Sequence, residues 1–263
     1  MVVNDRGLAV DGRQLEGTPA EDVVAEITAG GGEAVASDHD VSRWEGGRQV
    51  VELALDRFGA LDILVNNAGI LRDRAIVNMT EDEWDDVIRV HLKGCFVPIR
   101  HAAGYWRGRA KSGAVVNASV INTSSTSGLL GNPFQANYGA AKAGVGALTV
   151  IAAQELGRYG VRVNAVVPAA RTRMTSGTEG LSDIVKAPEN DTFDIWDAAN
   201  ASPLVGWLAT AACPASGRVF FIQGGTVRLM TPWGFGEGRE REGRWTVADL
   251  DGEMAKLVAP SGP

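Results

Sequence analysis

The chain opens with a short apolar run, Met1–Val3, that stops at once in Asn4-Asp5-Arg6-Gly7, a strand followed by turn chemistry. Polar, glycine-containing sequence follows from Arg6 to Pro19. Ala20–Ala29 (AEDVVAEITA) has helical spacing and ends at Gly30-Gly31-Gly32, a C-terminal helix signal. Glu33–Ser37 predicts a short strand. Ser42–Phe58 predicts a helix with an apolar face through Val50, Val51, Leu53, Leu55 and Phe58. Leu61–Val65 is a continuous apolar run closed by Asn66-Asn67, the pattern of a strand buried on both faces.

The alternation then repeats with longer helices. Thr80 and Glu83 form a capping box that predicts a helix running to about Arg107. Val115–Thr123 predicts a strand, Pro133–Tyr159 a long helix, and Val161–Val167 a strand stopped by Pro168. Polar, mobile-looking sequence fills Ala169–Ala201. Pro203–Ala212 predicts a helix, and Arg218–Ile222 the last strand, closed by Gly224-Gly225. The tail from Thr231 is rich in Gly, Arg and Glu, with one short helix from Val247 to Leu257. Strands alternating with helices imply right-handed crossovers, hence an α/β fold with a doubly wound parallel sheet, Rossmann-like. In such sheets ligands bind beyond the carboxyl ends of the strands, which here means Asn66, Ser124-Ser125 and the stretch after Pro168.

Bulk composition narrows the function classes. The 263 residues show no internal repeat and no strong linker, so one domain over residues 1–263 is expected, with 231–263 as its C-terminal extension. A net charge of −7 and a pI near 5.1 argue against a nucleic-acid partner, which needs a basic face. Mean hydropathy of −0.03 and the lack of a long uncharged apolar run argue against a membrane span. The start carries no basic, leader-like stretch, and Cys95 and Cys213 fit neither a metal site nor a disulfide framework; both point to a cytoplasmic setting. His39, His91 and His101 show no metal-binding pairing, so no metal is expected.

Candidate chemistry concentrates in INTSSTSGLLGNPFQANYGAAKAGV, Ile121–Val145. Tyr138 and Lys142 lie four apart on a helix and so share one face. A phenol near its reference pKa of about 10 is a poor base at neutral pH. A neighbouring ammonium favours the phenolate, so this pairing predicts a lowered pKa and a usable general acid/base at Tyr138. Ser125, at the end of the preceding strand, has a hydroxyl placed to hold a substrate oxygen.

Asn66-Asn67-Ala68-Gly69, Ser125, Tyr138-Gly-Ala-Ala-Lys142, Asn164–Pro168 and Gly224-Gly225 together resemble the short-chain dehydrogenase/reductase family from end to end. A narrower likeness runs through ILRDRAIVNMTEDEWDDVIRVHLKGCF and FQANYGAAKAG. These segments look like the dehydrogenase part of the peroxisomal multifunctional β-oxidation enzyme and its single-domain bacterial relatives. The resemblance implies hydride transfer between a secondary alcohol and a ketone, with a 3-hydroxyacyl-CoA or hydroxysteroid as the lipid-like substrate. It implies Tyr138 as proton donor/acceptor, Ser125 positioning the substrate oxygen, and Lys142 lowering the tyrosine pKa and binding the nicotinamide ribose. His91, in VHLKG, replaces the family's usual Asn, whose backbone carbonyl holds a relay water. Either His91 keeps that catalytic place or it is a packed helix histidine. The family also implies a homo-dimer or homo-tetramer.

The same resemblance implies NAD rather than NADP. Asp5 stands where a carboxylate accepts hydrogen bonds from the adenosine ribose and repels a 2′-phosphate, with Arg6 beside it blurring the preference. Asp40 and Val41 match the adenine-contacting pair; Asn66, Asn67, Ala68 and Gly69 line the ribose; Tyr138, Lys142, Pro168 and Thr172 lie toward the nicotinamide. The family's Gly-x-x-x-Gly-x-Gly phosphate cradle does not precede Asp5. The expectation is a fold lacking its first βα unit, roughly 30 residues, whose strand would be central in the order 3-2-1-4-5-6. Two origins fit: an upstream start, with Met1 replacing a Val codon, or a truncated product that at most associates with full-length subunits.

Overall fold

The computed structural model describes residues 1–8, 17–176, 183–189, 192–231, 234–235 and 237–258. They fall into two units, Met1–Met230 and Thr231–Pro263. Seven strands form among the described residues: β1 (Val2–Asn4), β2 (Val35–Ser37), β3 (Ile63–Asn66), β4 (Ala118–Thr123), β5 (Val161–Pro168), β6 (Val219–Gln223) and β7 (Thr226–Met230). They make two sheets rather than one, a parallel pair β1-β2 and a five-stranded sheet ordered β3-β4-β5-β6-β7. Within the larger sheet β3 to β6 are parallel and β7 is antiparallel.

Two expectations are corrected here. Gly224-Gly225 does not close the last strand; it turns the chain into β7, pairing Gln223 with Thr226 and Val219 with Met230. The signal was available, since two glycines between RVFFIQ and TVRLM are hairpin chemistry, but most of β7 is exposed and carries no strong apolar run. The run Leu61–Val65 is not buried on both faces: Ile63 and Val65 are 47% and 46% exposed. Among the described residues β3 pairs only with β4, and Ile63 and Val65 are exposed.

The helices are α1 (Pro19–Ala29), α2 (Trp44–Phe58), α3 (Glu81–Ile88), α4 (Gly94–Lys111), α5 (Thr126–Leu129), α6 (Ala136–Leu156), α7 (Arg173–Ser176), α8 (Ser202–Ala209) and, in the second unit, α9 (Val247–Val258). Thr80 and Glu83 cap α3 reciprocally as the sequence predicts, and Thr18 with Glu21 does the same for α1. The predicted helix from Thr80 continues to Lys111, but Arg89–Lys93 widens into a π turn. There the Gly94 N–H donates to the Arg89 carbonyl, five residues back. The helix predicted from Pro133 begins only at Ala136, because Phe134 has φ 69°.

The main core lies between the five-stranded sheet and α2, α4 and α6. Trp106 packs with Val51, Val120, Ala152, Leu156 and Val163, and its indole N–H donates to the Leu61 carbonyl at 2.6 Å. On the other face Ile121, Val166 and Ile222 pack against Leu204 and Leu208 of α8. No described helix is long and apolar enough to cross a membrane.

Candidate active site

The carboxyl ends of β3 and β4 are joined to α6 by a buried polar chain. Asn66 Nδ2 donates to Asn122 Oδ1 at 2.9 Å, and Asn122 Nδ2 donates to Thr149 Oγ1 at 3.0 Å. Above this layer the Thr123 hydroxyl donates to Asn67 Oδ1 at 2.9 Å. Lys142 Nζ donates to the Thr123 carbonyl at 2.6 Å, and the Ser124 hydroxyl to the Lys142 carbonyl at 2.8 Å. Ser125 caps α5 by accepting from the Ser127 N–H at 3.2 Å, and its hydroxyl favours the Tyr138 phenolate. Lys142 Nζ lies 5.6 Å from the centre of the Tyr138 ring. A Cβ on Gly128 would come within 2.5 Å of the Ala143 nitrogen, so the bare α-carbon is what lets α5 rest on α6 beside Lys142.

Ser125, Tyr138, Lys142 and His91 thus meet at the sheet edge, as the sequence predicts, but the electrostatics differ from expectation. The Tyr138 pKa is raised, not lowered. Burial penalises the phenolate and the Asp73 carboxylate adds to the penalty, while the Ser125 hydrogen bond offsets only part. Burial also pushes the Lys142 ammonium down to about 8, which still leaves it mostly protonated at pH 7. Lys142 is not among the groups that shift Tyr138; burial of the phenol and the Asp73 carboxylate outweigh Ser125.

His91 is 1% exposed. Its ring stands edge-on to Tyr138, centroids 5.0 Å apart at 85°. Nε2 lies 3.1 Å from the Ile70 nitrogen and 2.7 Å from the Ile70 oxygen, while Nδ1 has no partner among the described residues. A Cβ on Gly69 would strike the imidazole at 2.4 Å, so Gly69 is needed for the ring to sit there. Burial, reinforced by the Lys142 charge and opposed by the Ile70 hydrogen bond, pushes the His91 pKa from 6.5 to about 3. Between these values the unfolded chain binds a proton at His91 that the folded chain does not. Stability should therefore fall on acidification, by about 1.4 kcal/mol per pH unit below 6.5 from this group alone. Urea unfolding at pH 7 and pH 5 checks this; in His91→Asn the loss between the two pH values should shrink by about 2 kcal/mol.

The residues expected at the adenosine end lie on the two-stranded sheet. Ser37 Oγ donates to Asn4 Oδ1 at 2.7 Å and Asn4 Nδ2 donates to the His39 carbonyl at 3.1 Å, joining the ends of β1 and β2. Asp5 follows directly, its carboxylate accepting from the Gly7 N–H at 2.8 Å. Asp40 accepts from the Ser42 N–H at 3.0 Å and from the Ser42 hydroxyl, and pairs with Arg6 at 3.3 Å. Burial opposes its ionisation, but the Ser42 hydrogen bonds and the Arg6 and Arg89 charges outweigh burial and lower its pKa. Gly46 fits where a Cβ would lie 2.2 Å from the Asp40 carbonyl oxygen, so α2 seats tightly on this turn. Val41 packs toward Gly94 of α4.

Beyond Pro168 the chain forms a clasp that no sequence pattern announces. The Arg171 side chain donates to the Val185 carbonyl at 2.9 Å and pairs with Asp194, and its N–H donates to the Trp196 carbonyl at 2.6 Å. Mobile-looking sequence is thereby held against the end of β5. An arginine after the strand and an Asp-x-Trp-Asp stretch are too unspecific to reveal such a pairing. Thr172 and Thr175 cap one another beside it.

The chain belongs to the short chain dehydrogenase family, which it matches over residues 5–180. It is 44% identical over 239 residues to the hydroxyacyl-CoA dehydrogenase ChsB1 of Mycobacterium tuberculosis, covering 88% of this chain and 72% of that protein. To the peroxisomal multifunctional enzyme type 2 of Mus musculus it is 37% identical over 227 residues, 86% of this chain and 28% of the larger protein. A solved short chain dehydrogenase from Mycobacterium avium superposes with a TM-score of 0.86 at 46% identity, covering 100% of this chain and 87% of that one. The resemblance seen in the sequence and the Rossmann-like sheet both hold.

The family uses a nicotinamide dinucleotide, NAD or NADP. Tyr138 and Lys142 would hold its nicotinamide ribose half, and Asp5, Asp40 and Val41, at the ends of β1 and β2, its adenosine half. The pyrophosphate between them does not fit the described residues. The sequence between β1 and β3 holds no Gly-x-x-x-Gly-x-Gly pattern, and the first turn of α1 is already capped by Thr18.

Proposed function

We propose that this chain carries the proton-transfer centre of an NAD-dependent oxidoreductase that interconverts a secondary alcohol and a ketone. The observation that carries the reading is the Tyr138–Lys142 pair on one face of α6, with the buried Lys142 Nζ 5.6 Å from the centre of the Tyr138 ring. Ser125 holds the substrate oxygen, and Tyr138 gives or takes its proton. Lys142, anchored on the Thr123 carbonyl, would hold the nicotinamide ribose and relay the proton to Tyr138, and a nicotinamide, if bound, would supply the hydride acceptor or donor. The raised tyrosine pKa suits Tyr138 to donating a proton in the reductive direction. His91, neutral and edge-on to the phenol, positions the ring. The similarity to a hydroxyacyl-CoA dehydrogenase supports a 3-hydroxyacyl-CoA or hydroxysteroid substrate. Exposed Phe96 and Ile151 on α4 and α6 support a homo-dimer or homo-tetramer, and the free buried cysteines a reducing, cytoplasmic setting. Residues 231–263 are read as an extension of one dehydrogenase domain.

The split sheet favours a second reading. Among the described residues β1 and β3 each pair on one side only, and Ile63 and Val65 are exposed as they would be if a strand–turn–helix carrying the phosphate cradle belonged beside them. On that reading the 263-residue chain is an inactive fragment that associates with full-length subunits. Fluorescence titration with NADH separates the two. Saturable binding in the micromolar range supports a working enzyme; a flat titration, with binding restored by a chain carrying the upstream unit, supports the fragment.

A further inference from the structure

Asn132-Pro133-Phe134-Gln135 turns the chain from α5 into α6, and the Gln135 N–H closes the turn by donating to the Asn132 carbonyl at 3.3 Å. Proline stands second, and the third residue, Phe134, has φ 69°. Those are the marks of a type II turn, whose third position suits glycine because a side chain there is strained. Among the described residues no other non-glycine residue has a positive φ. Burial does not offset the strain, since Phe134 is 64% exposed. Neither the backbone nor the core accounts for a phenyl group at this place.

The turn is fixed from its buried side. The Arg74 N–H donates to the Phe134 carbonyl at 2.7 Å, and the buried Gln135 donates from Nε2 to Asp73 Oδ2 at 2.8 Å. Gln135 Oε1 accepts from the Ser127 hydroxyl at 2.8 Å and from Asn132 Nδ2 at 3.0 Å. Asn137 Nδ2 donates to the Arg72 carbonyl at 3.0 Å. The turn is thereby tied to residues 72–74 on one side and to α5 on the other. Both neighbours serve the proton-transfer centre: Ser125 is the N-cap of α5, and the Asp73 charge acts on Tyr138, four residues beyond Phe134. Leu130 on the same loop, and Ile76 and Val77 just past Arg74, are exposed as well, so apolar side chains gather on the segments that border the site.

We propose that Phe134 is a substrate-specificity residue, whose ring packs on the hydrocarbon that the substrate carries beside its reacting carbon at the Ser125–Tyr138 site. The inference rests on the alcohol–ketone reading of that site given above, and adds the side chain that selects a lipid-like substrate there. The anchored turn presents the ring at a fixed place, so hydrocarbon meets it without first ordering a loop. A substrate with little hydrocarbon gains nothing from the ring, and the contribution of Phe134 grows with the apolar area brought to it.

Binding is measured without nucleotide, so the outcome does not depend on a pyrophosphate cradle. Isothermal titration of the purified chain with 3-oxobutanoyl-CoA, 3-oxodecanoyl-CoA and the 3-oxosteroid androst-4-ene-3,17-dione separates short acyl, long acyl and sterol hydrocarbon. Phe134→Gly should weaken at least one of the two lipid-like ligands about tenfold and change 3-oxobutanoyl-CoA less than about twofold. The ligand that loses affinity identifies the hydrocarbon as acyl or sterol. Phe134→Leu keeps an apolar side chain and should bind within about threefold of the unsubstituted chain. Urea unfolding watches the fold: glycine relieves the turn, so the midpoint of Phe134→Gly should hold or rise. A lowered midpoint would show that the ring supports the fold, and overturns the proposal. So does an unchanged affinity for both lipid-like ligands, or a loss shared equally by 3-oxobutanoyl-CoA. If none of the three binds the unsubstituted chain, the alcohol–ketone reading fails and the role of Phe134 with it. Equal binding by the unsubstituted chain and Phe134→Gly sinks the role of Phe134 alone.

Discussion

Tyr138→Phe is expected to lower kcat/KM by about 10²- to 10⁴-fold, the range carried by one positioned acid/base group, in a form of the chain that binds its cofactor. The ring stays, so its edge-on packing against His91 and its place beside Lys142 persist, and the melting temperature should move little. Only the hydroxyl is lost, and Ser125 keeps its bond to the Ser127 N–H. The loss should therefore fall on kcat rather than on KM. Steady-state rates across pH 6–10 check this directly. Turnover equal to that of the unsubstituted chain would falsify Tyr138 as the proton carrier.

Gly128→Ala is the second substitution with a large expected effect, though Gly128 touches no reacting atom. A methyl there meets backbone, not a flexible side chain: the Ala143 nitrogen at 2.5 Å and the Lys142 carbonyl carbon at 2.6 Å. Relief requires α5 to lift from α6. Since Ser125 is the N-cap of α5 and Tyr138 lies on α6, that lift separates the two hydroxyls. A displacement of order 1 Å costs about 100-fold in rate, and overpacking about 1–3 kcal/mol in stability. Rate and urea midpoint measured on one sample test both. Wild-type rate with a lowered midpoint would mean the lift does not reach Ser125.

Much of this was legible because its causes are local. The 3.6-residue period places Tyr138 and Lys142 on one face, the Thr80–Glu83 box marks where α3 starts, and Asn66-Asn67 marks where β3 stops. What was not legible comes from groups brought together over long separations. The pKa of Tyr138 depends on how much protein surrounds it and on Asp73, sixty-five positions away, so helix spacing gave the wrong sign. The Arg171–Asp194 clasp and the Arg6–Asp40 pair are matches between loops, with no periodicity to announce them. The π turn at Arg89–Lys93 is a one-residue excess that a helical pattern absorbs without visible break.

The division of the sheet also divides the molecule by resistance to opening. A two-stranded ribbon with three-residue strands holds few cooperative hydrogen bonds, whereas β3 to β7 form a continuous ladder over a filled core. Local unfolding then starts at β1, β2 and α1, and their amides exchange with solvent before those of β4 and β5. The groups read as holding the adenosine end, Asp5, Asp40 and Val41, ride on the part that breathes. The groups read as moving the proton sit on the part that does not. Any ligand that engages Asp5 or Asp40 therefore does its ordering work there, and its binding enthalpy will carry the cost of closing that ribbon.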